Sequence, residues 1–198
     1  MESVTDYQRH GYLRGLPVLN EVSVHEVQTR FRELLSKVPA GTDINTINCW
    51  HKANHWVYGL SRFPPILDYV QGVLGEDFYC WGAQFFCKLP ATGEISSADN
   101  LRQTVPWHQD GQYWPLEPRE ATTVWLAIFD TDASNGAMKV VAGSHQKGVF
   151  EHRRQQRTDY ALDQEIPDQN IDEDCIVSLD LRAGQISLHD IGLSLIHI

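Results

Sequence analysis

No stretch of this chain comes near the roughly 20 consecutive apolar residues that a membrane-spanning helix requires. Its first residues, Met1-Glu-Ser-Val-Thr-Asp6, also lack the basic-then-apolar order of a secretory leader. Positive charge is scarce: 16 Lys and Arg stand against 26 Asp and Glu, a formal net charge of −10. A surface of that sign repels phosphate backbones and anionic lipid, so neither nucleic acid nor membrane is expected as a partner. Cysteine is sparse and scattered. Cys49, Cys80, Cys87 and Cys175 include no C-x-x-C pair, which argues against a zinc knuckle and fits a reduced, cytoplasmic setting. Internal repeats and low-complexity tracts are missing as well. What remains, at 42% hydrophobic and 21% charged over 198 residues, is an ordinary globular composition with length for one domain and a proper core.

Taken in order, residues 5–10 predict a short helix stopped by Gly11, and Tyr12-Leu13 with Leu16-Pro17-Val18 a brief strand. Ser23-Val-His-Glu26 has capping-box spacing, and Val24, Val27, Phe31, Leu34, Leu35 and Val38 follow at helical period. Residues 45–63 read as an aromatic helical stretch. His51 and His55 there have the i, i+4 spacing of a metal pair, but with no Cys or carboxylate nearby, packing is the better account. Pro64-Pro65 opens another helix that Gly75 closes. Phe78 to Lys88 predicts a buried strand, residues 91–104 a loop, and Thr122 to Phe129 a strong strand. Asn135-Gly136 is turn chemistry that would bring Ala137 to Val141 back as that strand's partner. Residues 151–175 form a polar connection that could hold part of a lid. Residues 176–181 alternate, and Gln185 to His189 begins a last strand after Ala183-Gly184. Helices ahead of many short strands predict an α+β, mostly β architecture, a sandwich or jelly roll with a helical N-terminal face.

Chemistry concentrates in Val105-Pro-Trp-His-Gln-Asp-Gly-Gln-Tyr-Trp-Pro115. On a strand His108 and Asp110 point the same way. One imidazole and one carboxylate side by side make two-thirds of the facial 2-His-1-carboxylate site that suits Fe(II). A solvated turn or a satisfied core histidine explains H-x-D equally well on its own. Trp107, Tyr113 and Trp114 supply the aromatic walls of a small-molecule pocket.

The segment Val105-Pro-Trp-His-Gln-Asp110 with Tyr113-Trp-Pro115 resembles the phytanoyl-CoA dioxygenase family of iron(II)/2-oxoglutarate oxygenases. So, in order, do Phe85-Phe-Cys-Lys-Leu-Pro90, Val124-Trp-Leu-Ala-Ile128, Asn135-Gly136, Val140-Val-Ala-Gly-Ser-His145 and Ala183-Gly-Gln-Ile-Ser-Leu-His-Asp190. The resemblance implies a double-stranded β-helix, or cupin-like jelly roll, with helices packed from the N-terminal region. It implies His108 and Asp110 as iron ligands, Fe(II), 2-oxoglutarate and O2 as reactants, and hydroxylation of a small-molecule substrate with succinate and CO2 as co-products. It further suggests that Gln109 approaches the co-substrate, that Trp125 and Gln84 contribute to its pocket, and that His145 is structural. Retention of Asp110, where related halogenases carry a small residue, favours hydroxylation.

The family's third ligand is a histidine a short strand beyond the Ala183–Asp190 segment. Counting from Gly184 places it near position 195, where this chain has Leu195. His197 and His189 are the alternatives, beside the absence of a true third ligand, which this reading favours. No residue occupies the place of the arginine that grips the distal carboxylate of 2-oxoglutarate, a task suited to a guanidinium. The expectation is therefore a single oxygenase domain over 1–192, incomplete at its C-terminus, with 193–198 as a non-native tail of adapter read-through. The competing reading is an inactive fragment or a non-catalytic binding protein of the same fold.

Overall fold

The computed structural model describes residues 4–39, 42, 44–88, 105–154 and 162–197, with His197 described by its backbone alone. The chain begins with α1 (Val4–His10), β1 (Tyr12–Pro17) and α2 (Glu21–Lys37). Gly11 makes the first turn with φ +82°, a conformation that favours glycine. A Cβ there would also lie 2.5 Å from His145 Nδ1. The cap of α2 is Asn20, whose side chain accepts the Ser23 N–H at 2.9 Å. The helix thus starts ahead of the predicted Ser23 box, because Asn20 caps the Ser23 N–H and lets helical bonding begin three residues earlier. Three shorter helices follow: α3 (Trp50–Ala53), α4 (His55–Ser61) and α5 (Pro64–Leu74). His51 and His55 fall on different helices, so their i, i+4 spacing places them on no common face.

Residues 78–88 form no strand, contrary to the sequence pattern. Their backbone groups find other partners. The Asn45 side chain bonds both the N–H and the C=O of Cys87, at 2.6 and 3.2 Å, and the Trp50 N–H donates to Ala83 O at 2.9 Å. Phe85 turns toward the helices, with ring centroids 5.1 Å from Phe31, 5.5 Å from Trp50 and 5.9 Å from Trp56. The loop expected at 91–104 lies outside the described residues, as does the middle of the polar connection.

The remaining strands are β2 (Val105–Gln109), β3 (Thr122–Leu126), β4 (Met138–Val141), β5 (Arg153–Arg154), β6 (Gln164–Glu165), β7 (Ile176–Ser178), β8 (Gln185–Asp190) and β9 (Ser194–His197). They form antiparallel sheets ordered β1-β8-β3 and β2-β9-β4-β7, with β5-β6 as a small ribbon. The predicted β3–β4 hairpin is not made. After Leu126 the chain crosses to the other sheet, and β4 pairs with β7 and β9. Turn residues at 130–136 suit either outcome, and the apolar faces decide it. Residues 194–197, part of the stretch 193–198 read from the sequence as a non-native tail, occupy a strand between β2 and β4, with Leu193 and Leu195 buried.

Two apolar layers result. One face of the β1-β8-β3 sheet (Leu13, Leu16, Ile186, Leu188, Val124 and Leu126) packs on Tyr7, Ile66 and Val70 of α1 and α5. The other face looks into the roll, where Tyr12 and Trp125 meet Met138, Val140, Leu179, Leu193 and Leu195. Side chains alternate along a strand. The helix-facing Val124 and Leu126 therefore leave Thr123 and Trp125 facing inward, and the apolar Ile186 and Leu188 leave Ser187 and His189 inward beside them.

Candidate metal centre

His108 closes β2 next to its end, and Asp110 opens the 3-10 turn that follows. That turn is tied down by Gly111, whose N–H donates to Ile191 O at 2.8 Å; a Cβ on Gly111 would lie 3.1 Å from the same oxygen. The imidazole of His108 is 5% exposed. Its Nδ1 stands 2.8 Å from Pro106 O, and a carbonyl only accepts, so the proton sits on Nδ1. Nε2 then faces Asp110 Oδ1 at 3.4 Å. An Nε2–H in that place ion-pairs with the carboxylate, and a bare Nε2 sets lone pair against lone pair, which is the situation a shared cation resolves. With metal–ligand bonds of about 2.1 Å, one ion can span donors up to about 4.2 Å apart, so the pair fits a metal. The carbonyl on the far nitrogen is the outer support that ligating histidines normally have.

The other carboxylate oxygen belongs to the opposite sheet. Thr123 Oγ1 donates to Asp110 Oδ2 at 2.9 Å, and His189 Nε2 lies 3.7 Å from it. Thr123 and His189 are cross-strand partners of β3 and β8. Burial alone would raise the Asp110 pKa, but the two imidazoles outweigh it and hold the carboxyl well below the usual carboxylate range. Asp110 stays ionised at any ordinary pH. Beside it, the Tyr113 ring stands edge-on to His108 at 6.1 Å. Burial, with help from Asp163 and Asp110, pushes its phenol up to about 12, so it remains a donor to Gln164 O at 3.2 Å.

The structure places the other expected residues as follows. Gln109 is fully buried with its amide engaged: Oε1 accepts the Phe150 N–H at 2.8 Å, and Nε2 donates to Gly148 O at 3.0 Å and to Gly192 O. It clamps the 148–150 loop on the side away from His108, as strand alternation dictates, so its amide is already engaged and is not free for the approach to a co-substrate that the resemblance suggests. Gln84 is exposed on the 78–88 segment, which pairs with no strand among the described residues. Trp125 does face inward, stacked at 5.3 Å on Phe86. His145 Nε2 lies 3.1 Å from Gln8 O. Leu195, where the resemblance puts the third ligand, stands directly opposite His108 on β9, 1% exposed. His197 pairs in backbone register with Val105, two residues past Leu195 and about 6.6 Å along the strand at the usual rise. His189 meets the carboxylate at the oxygen remote from His108. Among the described residues, no three His, Cys, Asp or Glu side chains are grouped to hold one metal ion. Thr123 was missed by the sequence reading; its only signal was an inward parity on a strong strand.

A roll of antiparallel sheets with a buried His-x-Asp pair at the end of its edge strand β2 defines a cupin-like jelly roll. The chain belongs to the phytanoyl-CoA dioxygenase family, whose sequence model matches residues 7–197. It is 25% identical over 138 residues to a protein of Stutzerimonas stutzeri named as a probable alpha-ketoglutarate-dependent hypophosphite dioxygenase, covering 70% of this chain and 43% of that one. It is 31% identical over 88 residues to a phytanoyl-CoA dioxygenase of Arabidopsis thaliana, covering 44% and 30%. The chain thus spans less than half the length of either relative. The solved structure of a non-heme monooxygenase, ThoJ, superposes with a TM-score of 0.73 at 25% identity, covering 98% of this chain and 70% of that chain.

Proposed function

We propose that this chain carries the metal-binding core of an iron(II)- and 2-oxoglutarate-dependent dioxygenase that hydroxylates a small organic molecule at a C–H bond. His108 and Asp110 are its ligands in this reading. The observation that carries it is His108 Nε2 held 3.4 Å from Asp110 Oδ1 while Nδ1 is turned away to Pro106 O at 2.8 Å. When bound, iron would supply oxygen activation coupled to oxidative decarboxylation of 2-oxoglutarate to succinate and CO2. The protein's own task is to fix the donors, keep Asp110 ionised and exclude water. Trp125, on the same inward face as Thr123, would line the co-substrate side. Tyr113, with Trp114 and Trp81 tilted against each other at 5.2 Å between centroids, would wall the substrate side. A cytoplasmic setting suits the chemistry, and all four cysteines are free thiols.

A second reading, a non-catalytic protein of the same fold, is favoured by one observation: an apolar side chain, Leu195, sits across from His108. Anaerobic titration with Fe(II) and 2-oxoglutarate separates the two. The enzyme reading expects a weak visible charge-transfer band that Asp110→Ala abolishes. A folded protein that gives no band supports the second reading, and a band surviving in Asp110→Ala moves the metal elsewhere.

A further inference from the structure

The two oxygens of Asp110 are treated differently by the two sheets. Oδ1 looks along β2 toward His108, while Oδ2 receives the Thr123 hydroxyl at 2.9 Å and faces His189 Nε2 at 3.7 Å. These two prongs come from directly paired positions of β3 and β8, so side chains and register aim them together at one atom. Thr123 is also stiff. Its β-branched side chain has few χ1 options, and the neighbouring Thr122 anchors the strand by accepting from Tyr7 OH at 2.9 Å and donating to His189 O at 3.2 Å. His189 is 2% exposed, and its Nδ1 has no hydrogen-bond partner among the described residues. Asp110 is thus the polar side chain that its ring addresses.

We infer that Thr123 and His189 are positioning residues that engage Asp110 Oδ2, so that Oδ1 alone is offered, beside His108 Nε2, to the metal. This rests on the metal reading above and gives His189 a role other than that of third ligand. Three consequences follow from the geometry. With Oδ2 engaged by Thr123 and His189, Asp110 would hold a cation with Oδ1. It cannot rotate about Cβ–Cγ without losing the charge-assisted bond from Thr123, which is of the stronger kind. And His189 carries its proton on Nε2, toward the carboxylate.

The test uses Co(II) alone as an oxygen-inert probe, followed by visible absorption and calorimetry, on the wild type, Thr123→Val, Thr123→Ser and Asp110→Ala. Outer-shell partners are typically worth 10- to 100-fold in metal affinity. Thr123→Val is expected to weaken Co(II) binding by about 10-fold or more and to change the ligand-field bands. Thr123→Ser, which keeps the hydroxyl, should return both to near wild type. Equal affinity and identical bands in Thr123→Val overturn the inference while leaving the metal site standing. A wild type that binds no more Co(II) than Asp110→Ala overturns the metal reading and this inference with it. Ring 15N NMR on the metal-free protein gives a readout that needs no metal: His189 protonated at Nε2 supports the arrangement, and a ring protonated at Nδ1 only overturns it.

Discussion

Gln109 lies between the two proposed ligands yet serves the opposite side of the strand. Its amide satisfies three backbone groups, Phe150 N–H, Gly148 O and Gly192 O, at a position with no solvent access. Replacing it with Leu preserves bulk but orphans all three. An unsatisfied buried polar group costs about 1–3 kcal/mol, and some of these will find water. Gln109→Leu should therefore lower unfolding free energy by about 2–4 kcal/mol in urea titration, with the 148–150 backbone showing the largest loss of amide protection. A variant within 0.5 kcal/mol of wild type, roughly the range of neutral surface changes, would mean the clamp is not structural. At this scale the sequence was partly legible. His108 and Asp110 could be paired because they are two apart and share a face by local geometry. Thr123 and His189 could not be paired with them, because that requires the register of strands far apart in the chain.

Elements were legible where a local rule decides them. The apolar period of α2, Pro64-Pro65 opening α5 and Gly75 closing it all depend on neighbours within a turn. The cap of α2 was misplaced by three residues because Asn20 and Ser23 both suit the role, and Asn20 holds it. Asn20→Ala should cost about 1 kcal/mol by thermal or chemical unfolding, and Ser23→Ala much less; the reverse order would restore the Ser23 box. The 78–88 segment and the β3–β4 hairpin failed for a different reason. Their local pattern specifies extended chain and a turn, but not which partner the backbone bonds. The β2–β9 pairing offers the most informative test at this scale. If the register His108↔Leu195 is right, Leu195→His places an imidazole across the ladder from His108, where cross-strand Cβ atoms lie about 4.5–5.5 Å apart. Without metal, a buried unpartnered polar group should destabilise the fold by about 1–3 kcal/mol. With Ni(II) or Co(II), a third ligand should tighten binding at least about 10-fold, equivalent to about 1.4 kcal/mol. Unchanged affinity in a folded Leu195→His would reject either that register or the placement of the metal beside His108.

At the scale of the whole molecule, charge and burial compete over the response to pH. The chain carries a formal charge of −10, and acid relieves self-repulsion, which would make the fold more stable as pH falls. Side-chain carboxyls titrate near pH 4, however, and surface charges are screened beyond about 8 Å in physiological salt, so this gain is small between pH 7.5 and 5. His152 acts in that window. It sits behind β2, where Nε2 accepts the Gln109 N–H at 3.3 Å and Nδ1 donates to Phe150 O at 2.9 Å. Burial lowers its pKa despite the bond to Phe150, and His108 adds to the lowering. The unfolded chain, with an imidazole near 6.5, binds this proton before the native state does. The stability it contributes is present above about pH 6.5 and is lost as pH falls toward the lower native value. Asp110, also held low, adds a loss in the same direction at more acid pH. Protonating His152 also removes the acceptor for Gln109 N–H, one residue from each proposed ligand. The urea midpoint should therefore fall between pH 7.5 and 5, and His152→Gln should show a smaller fall over the same range. A midpoint that rises on acidification would mean that relief of the global charge outweighs the buried imidazole.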